Sequence, residues 1–386
     1  MKDEKKEVIK YKRKKVPEFF LHLVAYGGFN VGDGLISLWN DLHIFLPVEG
    51  IYVLQQSLIN EYGKDAIDLL YWLGKINGMA GTTSLIKRYG LKENNFVDLL
   101  NGASMDGWGK LELDKIIYQN GKPIEAHIIC RNSLLGEKYK ELGPKNRAVD
   151  YFIKGELAGG AQPLFNKKVF SEEKSCIGKG NEYCEFIINF KEREDEPNLI
   201  KELNINTSTL LEKLTKITLT RKGRFSVFQK KHISFGNGKL KFYNINGILM
   251  LSYVFMLFSY ILKKKDEDTF QKIMNEKIES DLNTIKNKID ESKNYAETLD
   301  LLNLFGLGES HIEIMSKDIV LIKNKNNPFS SDYIRVFGRQ SDSVDYYLAN
   351  LIRRAFEKKY NRKLEVEEIT CVAKGDRNCT FRLRFI

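Results

Sequence analysis

The chain contains one pattern of residues twice, 195 positions apart. Shifting the first copy by that distance places Asp150 on Asp345, Glu172 on Glu367, Glu173 on Glu368, Cys176 on Cys371, Lys179 on Lys374, Gly180 on Gly375, Cys184 on Cys379 and Phe186 on Phe381. No gap is needed across this stretch. Because rare residues agree at each step, coincidence is a poor explanation. The chain is therefore predicted to be a tandem duplication of one domain.

The likeness between the copies extends upstream with small shifts of register. Residues 98–101 (DLLN) recur as residues 300–303, and the segment around Gly50 parallels the segment around Gly247. The hairpin that follows is expected to be shorter in the second copy.

The repeat sets the domain boundaries that we expect. The two units span residues 16–192 and 221–386, and residues 1–15 precede them as a flexible basic tail. Residues 193–220 lie between the units. They include Pro197 after a charge run, and then the stretch LLEKLTKITL, which has apolar residues at near-helical spacing. We therefore predict a linker helix there.

Composition favours a globular protein with more than one core. The chain has 386 residues, of which 42% are hydrophobic and 29% charged. Its longest apolar stretch, residues 247–262, is shorter than the roughly 20 residues that span a bilayer. We expect a buried helix or strand–helix unit there, no transmembrane segment, and a cytoplasmic protein. Five cysteines in such a chain argue against a disulfide scaffold.

Hydrophobic spacing predicts an α+β fold within each unit. Residues 51–87 have helical spacing, and residues 111–118 and 124–130 flank the hairpin signal Asn120-Gly121. Residues 148–157 are predicted to be helical. The cysteine pair that follows lies in a predicted strand–turn–strand segment.

The repeated acids and cysteines form a candidate metal site in each copy. The first set is Asp150, Glu173, Cys176 and Cys184, and the second is Asp345, Glu368, Cys371 and Cys379. Two thiolates and two carboxylates make a tetrahedral donor set that zinc accepts. Two alternatives remain open: each cysteine pair is a buried apolar filler beside surface acids, or it forms a disulfide.

The ending of each copy resembles the signature of the 4-vinyl reductase (4VR) domain. The pattern is a glutamate three residues before a cysteine, a glycine followed by a polar residue, a second cysteine eight residues after the first, and an aromatic two beyond it. Residues 131–133 (RNS) and 157–160 (LAGG) also suit that family. The resemblance covers most of the first copy and mainly the last 45 or so residues of the second.

The resemblance implies an α+β ligand-binding domain of the kind shared with nitric-oxide sensors and TRAPP vesicle-tethering subunits, here duplicated and packed as a pseudo-dimer. It also implies an internal apolar pocket and, in the sensor branch, a structural zinc held by Glu173, Cys176 and Cys184. The fourth ligand of that branch is usually cysteine, at the position of Asp150. Both copies depart from the pattern in having aspartate there.

Binding is favoured over catalysis. We find no dinucleotide-binding fingerprint, and the five histidines show no metal or triad spacing. The leading hypothesis is non-catalytic binding or sensing of a small hydrophobic molecule, such as a hydrocarbon, and residues 69–73 are suggested as part of the pocket.

Two other functions are compatible with the sequence. The first is a scaffold resembling TRAPP tethering subunits, with a protein partner or a second copy of the chain. The second is a nucleic-acid-associated regulator, suggested by the net charge of +10 and the basic residues 10–15 and 221–231. Nucleic acid is disfavoured because no helix-turn-helix or zinc-finger spacing accompanies these segments.

Overall fold

The structure is a computed structural model. It describes residues 6–11, 29–39, 41–142, 148–191, 196–215 and 233–386. These residues form interleaved helices and strands, so the predicted α+β fold is confirmed.

The first half contains eight strands and five helices among its described residues. In chain order they are β1 (Lys6–Lys10), β2 (Phe29–Gly32), β3 (Leu35–Leu38), β4 (Asp41–Pro47), α1 (Val48–Tyr62), α2 (Lys64–Tyr89), α3 (Phe96–Met105), β5 (Lys110–Gln119), β6 (Lys122–Arg131), α4 (Leu134–Glu141), α5 (Tyr151–Phe165), β7 (Phe170–Ser175) and β8 (Cys184–Asn189). Two short helices follow, α6 (Asn198–Glu202) and α7 (Thr207–Thr215).

The second half repeats the order of the first half from β2 onward, with one additional short helix, α10 (Lys286–Glu291). Its elements are β9 (Ile233–Gly236), β10 (Lys239–Phe242), β11 (Ile245–Leu251), α8 (Ser252–Lys265), α9 (Glu267–Thr284), α10 (Lys286–Glu291), α11 (Tyr295–Asn303), β12 (Glu309–Met315), β13 (Ile319–Lys325), α12 (Pro328–Phe337), α13 (Tyr346–Tyr360), β14 (Leu364–Thr370) and β15 (Cys379–Phe385). The hairpin β12–β13 is shorter than β5–β6, as the sequence predicted.

Several local predictions agree with the structure. Asn120 and Gly121, with φ of 52° and 72°, form the turn between β5 and β6. The apolar stretch near residue 250 is a strand followed by a helix. No helix among the described residues is long and apolar enough to cross a membrane.

The structure differs from two expectations at the segment boundaries. Residues 1–15 were expected to be a flexible tail, but Lys6–Lys10 forms an edge strand that pairs antiparallel with β5. Its central Val8 and Ile9 favour a strand, and all five of its residues are exposed. Within residues 193–220 the described part forms two helices rather than one, because Leu203 to Asn206 interrupt the helical path.

The two halves share one antiparallel sheet of six strands, in the order β2-β3-β4-β11-β10-β9. Strand β4 pairs with β11, from His43 opposite Leu251 to Pro47 opposite Gly247. Each half has a second sheet of its own, β1-β5-β6-β8-β7 in the first and β12-β13-β15-β14 in the second. The helices pack across the junction in matched pairs, α1 with α9 and α2 with α8. The chain is thus a pseudo-dimer with an approximate twofold relation between its halves.

Glycines set the helix pairing of the first half. A Cβ on Gly74 would lie 2.0 Å from the carbonyl oxygen of Phe152, and one on Gly78 would lie 2.2 Å from that of Glu156. Real Cβ atoms do not approach a backbone oxygen this closely. Helices α2 and α5 therefore pack backbone to backbone along these glycines, which we call the glycine seam. Larger side chains at these positions would push the two helices apart.

A buried ion pair occupies the same place in the second half. Lys277 follows the start of α9 by as many residues as Gly74 follows the start of α2. Its fully buried Nζ donates to Asp281 Oδ2 at 2.5 Å, and Tyr347 Oη donates to the same oxygen at 2.7 Å. Lys277 Nζ also lies 4.7 Å from the centre of the Tyr347 ring. The second pair of helices is thus held by side chains instead of backbone contact.

Replacing Gly78 with alanine should destabilise the protein by about 1–3 kcal/mol, because the added methyl group meets the backbone of α5. Gly81→Ala on the same helix is the matched control, since its Cβ would meet only Leu251 Cδ1 at 3.8 Å. That variant should be neutral or more stable by up to about 1 kcal/mol. Urea unfolding measures both, and equal effects would contradict the seam.

Replacing Asp281 with asparagine should cost about 3–5 kcal/mol, because Lys277 then keeps a buried charge without its partner. The double variant Lys277→Met with Asp281→Asn removes both charges and should recover much of that loss. Chemical denaturation of both single variants, Lys277→Met and Asp281→Asn, and of the double variant tests the coupling. A double variant as unstable as the sum of the single variants would show that the pair acts independently.

Candidate functional site

The eight residues predicted to bind metal are brought together as two separate clusters. In each cluster the four potential ligand atoms lie within 4.8 Å of one another. The first cluster contains Asp150, Glu173, Cys176 and Cys184, and the second contains Asp345, Glu368, Cys371 and Cys379. The cysteines and aspartates are buried, and the glutamates are partly buried.

The elements that position the first cluster are a helix start and a strand–turn–strand. Asp150 immediately precedes α5, and Glu173 lies in β7. Cys176 precedes a single 3₁₀ turn (Ile177–Lys179), and Cys184 begins β8. Gly180, with φ of 96°, closes the turn. The chain thereby folds back and brings the two sulfurs next to each other.

The second cluster has the same construction. Asp345 precedes α13, Cys371 precedes a 3₁₀ turn (Val372–Lys374), and Cys379 begins β15. In both turns a side chain accepts from the backbone N–H of the first cysteine: Asn181 at 3.1 Å in one and Asp376 at 2.8 Å in the other.

Hydrogen bonds connect the acids, thiols and a serine in each cluster. Cys184 Sγ donates to Asp150 Oδ2 at 3.0 Å, and Ser133 Oγ donates to Asp150 Oδ1 at 3.0 Å. In the second cluster Cys379 Sγ and Ser330 Oγ donate to Asp345 Oδ2 at 3.1 and 2.6 Å. A backbone N–H also points at the second cysteine of each cluster, from Ile177 at 3.2 Å and from Val372 at 3.4 Å.

Four acidic groups crowded into a buried space perturb one another. Burial, followed by the neighbouring charges, raises the pKa of Glu173 to about 11, and burial raises the pKa of Asp150 to about 7. The hydrogen bond from Cys184 lowers the pKa of Cys176 to about 6. The second cluster shows the same directions. With no cation, Glu173 retains a proton near pH 7 that a metal ion would displace.

The residues fit a divalent metal on two further observations. Glu173 Oε1, Glu368 Oε1 and Asp345 Oδ1 are buried and have no hydrogen-bond partner. Backbone N–H groups directed at sulfur are suited to a thiolate, the form of cysteine that binds metal. All five cysteines are free thiols, so the disulfide alternative is not realised in this structure. Each cluster can therefore bind a metal ion.

A cavity lies in the first half, away from the cysteine clusters. It provides about 100 Å³ in which the centre of a water molecule fits, and its walls are largely apolar. Residues of α2, α3 and α5 form most of the wall, together with β4 and Leu251 of the second half. Because one such water needs roughly 10–15 Å³, there is room for a small organic molecule.

Polar side chains gather at one part of this cavity. Asn77 and Glu156, 6% and 9% exposed, face each other with Asn77 Nδ2 donating to Glu156 Oε1 at 3.1 Å. Asp106 also lines the cavity. Burial raises the pKa of Glu156 to about 8, and burial together with the charge of Glu156 raises the pKa of Asp106 well above its usual range.

Asp41 and His43, which also line the cavity, make polar contacts of their own. Arg88 binds the carboxylate of Asp41 at 2.9 Å, and His43 Nδ1 lies 2.8 Å from the carbonyl oxygen of Asp41. Burial lowers the pKa of His43 to about 4, so its ring is neutral near pH 7.

The second half has apolar residues where this cavity has its acids. Leu351, 0% exposed, lies six residues after Asp345, as Glu156 lies six residues after Asp150. The carbonyl oxygen of Phe305 accepts from Phe45 N, as that of Asp106 accepts from Leu249 N, so Phe305 corresponds to Asp106. The polar cluster thus belongs to one copy of the repeat.

Sequence reasoning did not find the cavity residues. Of the suggested segment 69–73, Leu70 and Leu73 line a smaller, wholly apolar cavity of about 30 Å³ nearer the junction of the halves. One available signal was Glu156, an acid within the small-residue stretch GELAGG of a buried helix. His43, treated as an isolated histidine, lies in the cavity wall.

Several solved structures are similar to parts of the chain. The phenol-responsive sensory domain of the transcription activator PoxR, solved with phenol, is 17% identical with a TM-score of 0.42, covering 50% of this chain and 98% of its own. A trafficking protein particle complex subunit 3 from Naegleria fowleri, covalently bound to palmitic acid, is 19% identical with a TM-score of 0.28, covering 38% and 98%. An H-NOX protein from S. oneidensis in the Fe(II)NO state is 10% identical with a TM-score of 0.25, covering 49% and 96%.

The chain is also similar to an uncharacterized protein of Methanocaldococcus jannaschii, with 26% identity over 125 residues. That alignment covers 32% of this chain and 65% of the relative, so the chain spans less than two thirds of the relative's length.

The family comparison locates a known domain in the second half. Residues 331–385 match the 4-vinyl reductase domain. The match covers the part of the second copy in which the sequence predicts a resemblance to this family. The residue pattern also predicts a closer resemblance in the first copy, whereas the matched residues lie in the second. Asp345, Glu368, Cys371 and Cys379 all lie within the matched residues. The C-terminal part of this chain therefore matches the 4-vinyl reductase domain, and the match contains the whole second cluster.

Proposed function

We propose that this protein binds, and thereby senses, a small hydrophobic molecule in the cavity of its first half, without transforming it. The observation that carries the proposal is the cavity itself: an apolar space between α2, α3 and α5 that contains a few polar groups. Apolar walls with a small number of converging polar groups are typical of small-molecule sites.

The position of the cavity supports a sensing role. Leu38 and His43 belong to first-half strands of the shared sheet, and Leu251 belongs to β11 of the second half. A bound molecule would therefore contact both sides of the β4–β11 junction. Two arrangements of the halves differ in free energy. A ligand that contacts both halves changes that difference whenever it binds one arrangement more tightly than the other.

Binding without catalysis fits the composition of the wall. Among the described residues that line the cavity there is no serine or cysteine to act as a nucleophile and no lysine. The single histidine of that described wall has its Nδ1 at the Asp41 carbonyl oxygen. These groups are suited to holding a ligand in place.

We further propose that each acid–cysteine cluster holds a structural zinc ion. Zinc bonds of about 2.3 Å to sulfur and about 2.0–2.2 Å to oxygen place ligand atoms roughly 3.3–3.8 Å apart, which small shifts of this arrangement supply. Bound zinc would join the start of a helix to a strand–turn–strand and remove the need for buried protons. The ion would stabilise each half and take no part in ligand chemistry.

Replacing Gly81 with leucine should block ligand binding. Gly81 lines the cavity, and a Cβ there meets only Leu251 Cδ1, so the added side chain can enter the space without backbone conflict. Thr83→Leu is the matched control, because it adds similar apolar bulk to the same helix outside the wall. Thermal stabilisation by added toluene should appear in the wild type and in Thr83→Leu, and disappear in Gly81→Leu.

Native mass spectrometry of the same three proteins identifies any retained molecule. The proposal would be contradicted by a wild-type protein that retains no bound molecule and that toluene and other small aromatic compounds fail to stabilise. A stable protein partner found together with that result would favour the scaffold function.

Zinc content tests the two clusters. Elemental analysis of the wild type should give two zinc ions per chain, and Cys176→Ser with Cys371→Ser should lose both, because each change removes a thiolate ligand. Cys130→Ala is the matched control: Cys130 is also fully buried but lies outside both clusters, so this variant should keep its zinc. A wild type that binds no zinc from solution would overturn the metal proposal.

A further inference from the structure

We propose that the cavity of the first half selects an organic cation: a small apolar body, such as one aromatic ring, that carries a protonated amine. This inference rests on the proposed function and adds the chemical class of the ligand. It is carried by hydrogen-bond acceptors in the cavity wall that have no donor to bind.

The first of these acceptors is the amide oxygen of Asn77. The side chain is 6% exposed and lines the cavity, and its Nδ2 is committed to Glu156 Oε1 at 3.1 Å. That hydrogen bond fixes the amide so that Oδ1 has no partner in the protein. A buried acceptor without a donor is costly, and a ligand N–H group would satisfy it.

The second acceptor is a carboxylate oxygen of Asp106. Its Oδ1 is buried without a hydrogen-bond partner, although the residue as a whole is partly exposed to the cavity. Glu156 lines the same cavity, and burial together with the charge of Glu156 raises the pKa of Asp106 well above its usual range. A positive charge bound beside these two carboxyl groups would favour their ionised forms, whereas a neutral or anionic ligand would not.

The described part of the wall supplies no such charge itself. The described residues that line the cavity include no lysine or arginine. Arg88, the nearby cation, is bound to the carboxylate of Asp41 and to the carbonyl oxygen of Trp39. Among the groups facing the polar cluster, His43 is held neutral by burial, which lowers its pKa. The acidic pair is therefore complemented by a cation from outside.

The comparison between the halves shows that the fold does not require these acids. Leu351 and Phe305 occupy the corresponding places in the second half and are buried core residues. Since apolar side chains occupy the equivalent positions there, the presence of Glu156 and Asp106 around a cavity indicates a ligand contact. The apolar remainder of the wall would hold the body of the ligand; it includes Phe96, Leu100 and Leu157.

The test compares three probes of similar shape: benzylamine, benzyl alcohol and toluene. Calorimetry on the full chain at neutral pH should show benzylamine binding at least about 10-fold more tightly than either neutral probe, because a hydrogen bond to a charged group is stronger than a neutral one. Glu156→Gln should reduce that preference to about 3-fold or less, while toluene binding is retained.

Glu141→Gln is the matched control, since it removes the same charge from an exposed position outside the cavity and should leave the preference unchanged. Asp106→Asn is the second variant and should also reduce the preference. It supplies the test if Glu156→Gln fails to fold. Thermal melting of each variant checks that it is folded.

The outcomes distinguish failure of the cation proposal from failure of the proposed function. Toluene or benzyl alcohol binding as tightly as benzylamine would overturn the cation and leave hydrophobic-ligand binding standing. Binding of benzylamine that Glu156→Gln and Asp106→Asn do not weaken would also overturn it. If none of the three probes binds at millimolar concentration, both the cation and the proposed function of the cavity are wrong.

Discussion

The pairing of β4 with β11 is the interaction on which the rest of the structure depends. It joins two halves into one sheet, and reciprocal backbone hydrogen bonds reinforce it: Phe45 N to Phe305 O at 2.9 Å, and Leu249 N to Asp106 O at 2.7 Å. Glycines permit the close approach beside it, since a Cβ on Gly34 would lie 2.1 Å from the carbonyl oxygen of Gly308. These contacts are formed by backbone, so the side chains of each half remain free to diverge.

The two halves share one backbone arrangement but differ in their buried side chains. In the first half a glycine seam draws α2 and α5 together, and the acids Glu156 and Asp106 line a cavity beside it. In the second half Lys277 and Asp281 lie where the seam would be, and apolar residues replace the acids. The acid–cysteine clusters, by contrast, have the same residues in both halves, which fits a structural demand that each copy must meet separately.

The sequence predicts those features that depend on residue identity at fixed spacing. The two acid–cysteine sets, the Asn120-Gly121 turn and the α+β class follow from local pattern. The cavity does not, because its polar wall combines Asn77 on one helix, Glu156 on another and Asp106 at the end of a third. Contacts between residues that are far apart in the sequence produce no regular spacing from which they could be predicted. The paired strand Lys6–Lys10 was also missed, because high charge concealed its apolar centre.

The covalent link between the halves changes how many molecules of each kind one chain can hold. Two identical subunits related by a twofold axis would present two identical cavities, and occupation of one would influence the other. Among the described residues of this chain the repeat has two acid–cysteine clusters but one cavity lined by both Glu156 and Asp106. One ligand site per chain, as proposed for that cavity, would give a graded, hyperbolic response to ligand concentration. Any cooperativity must then arise between chains.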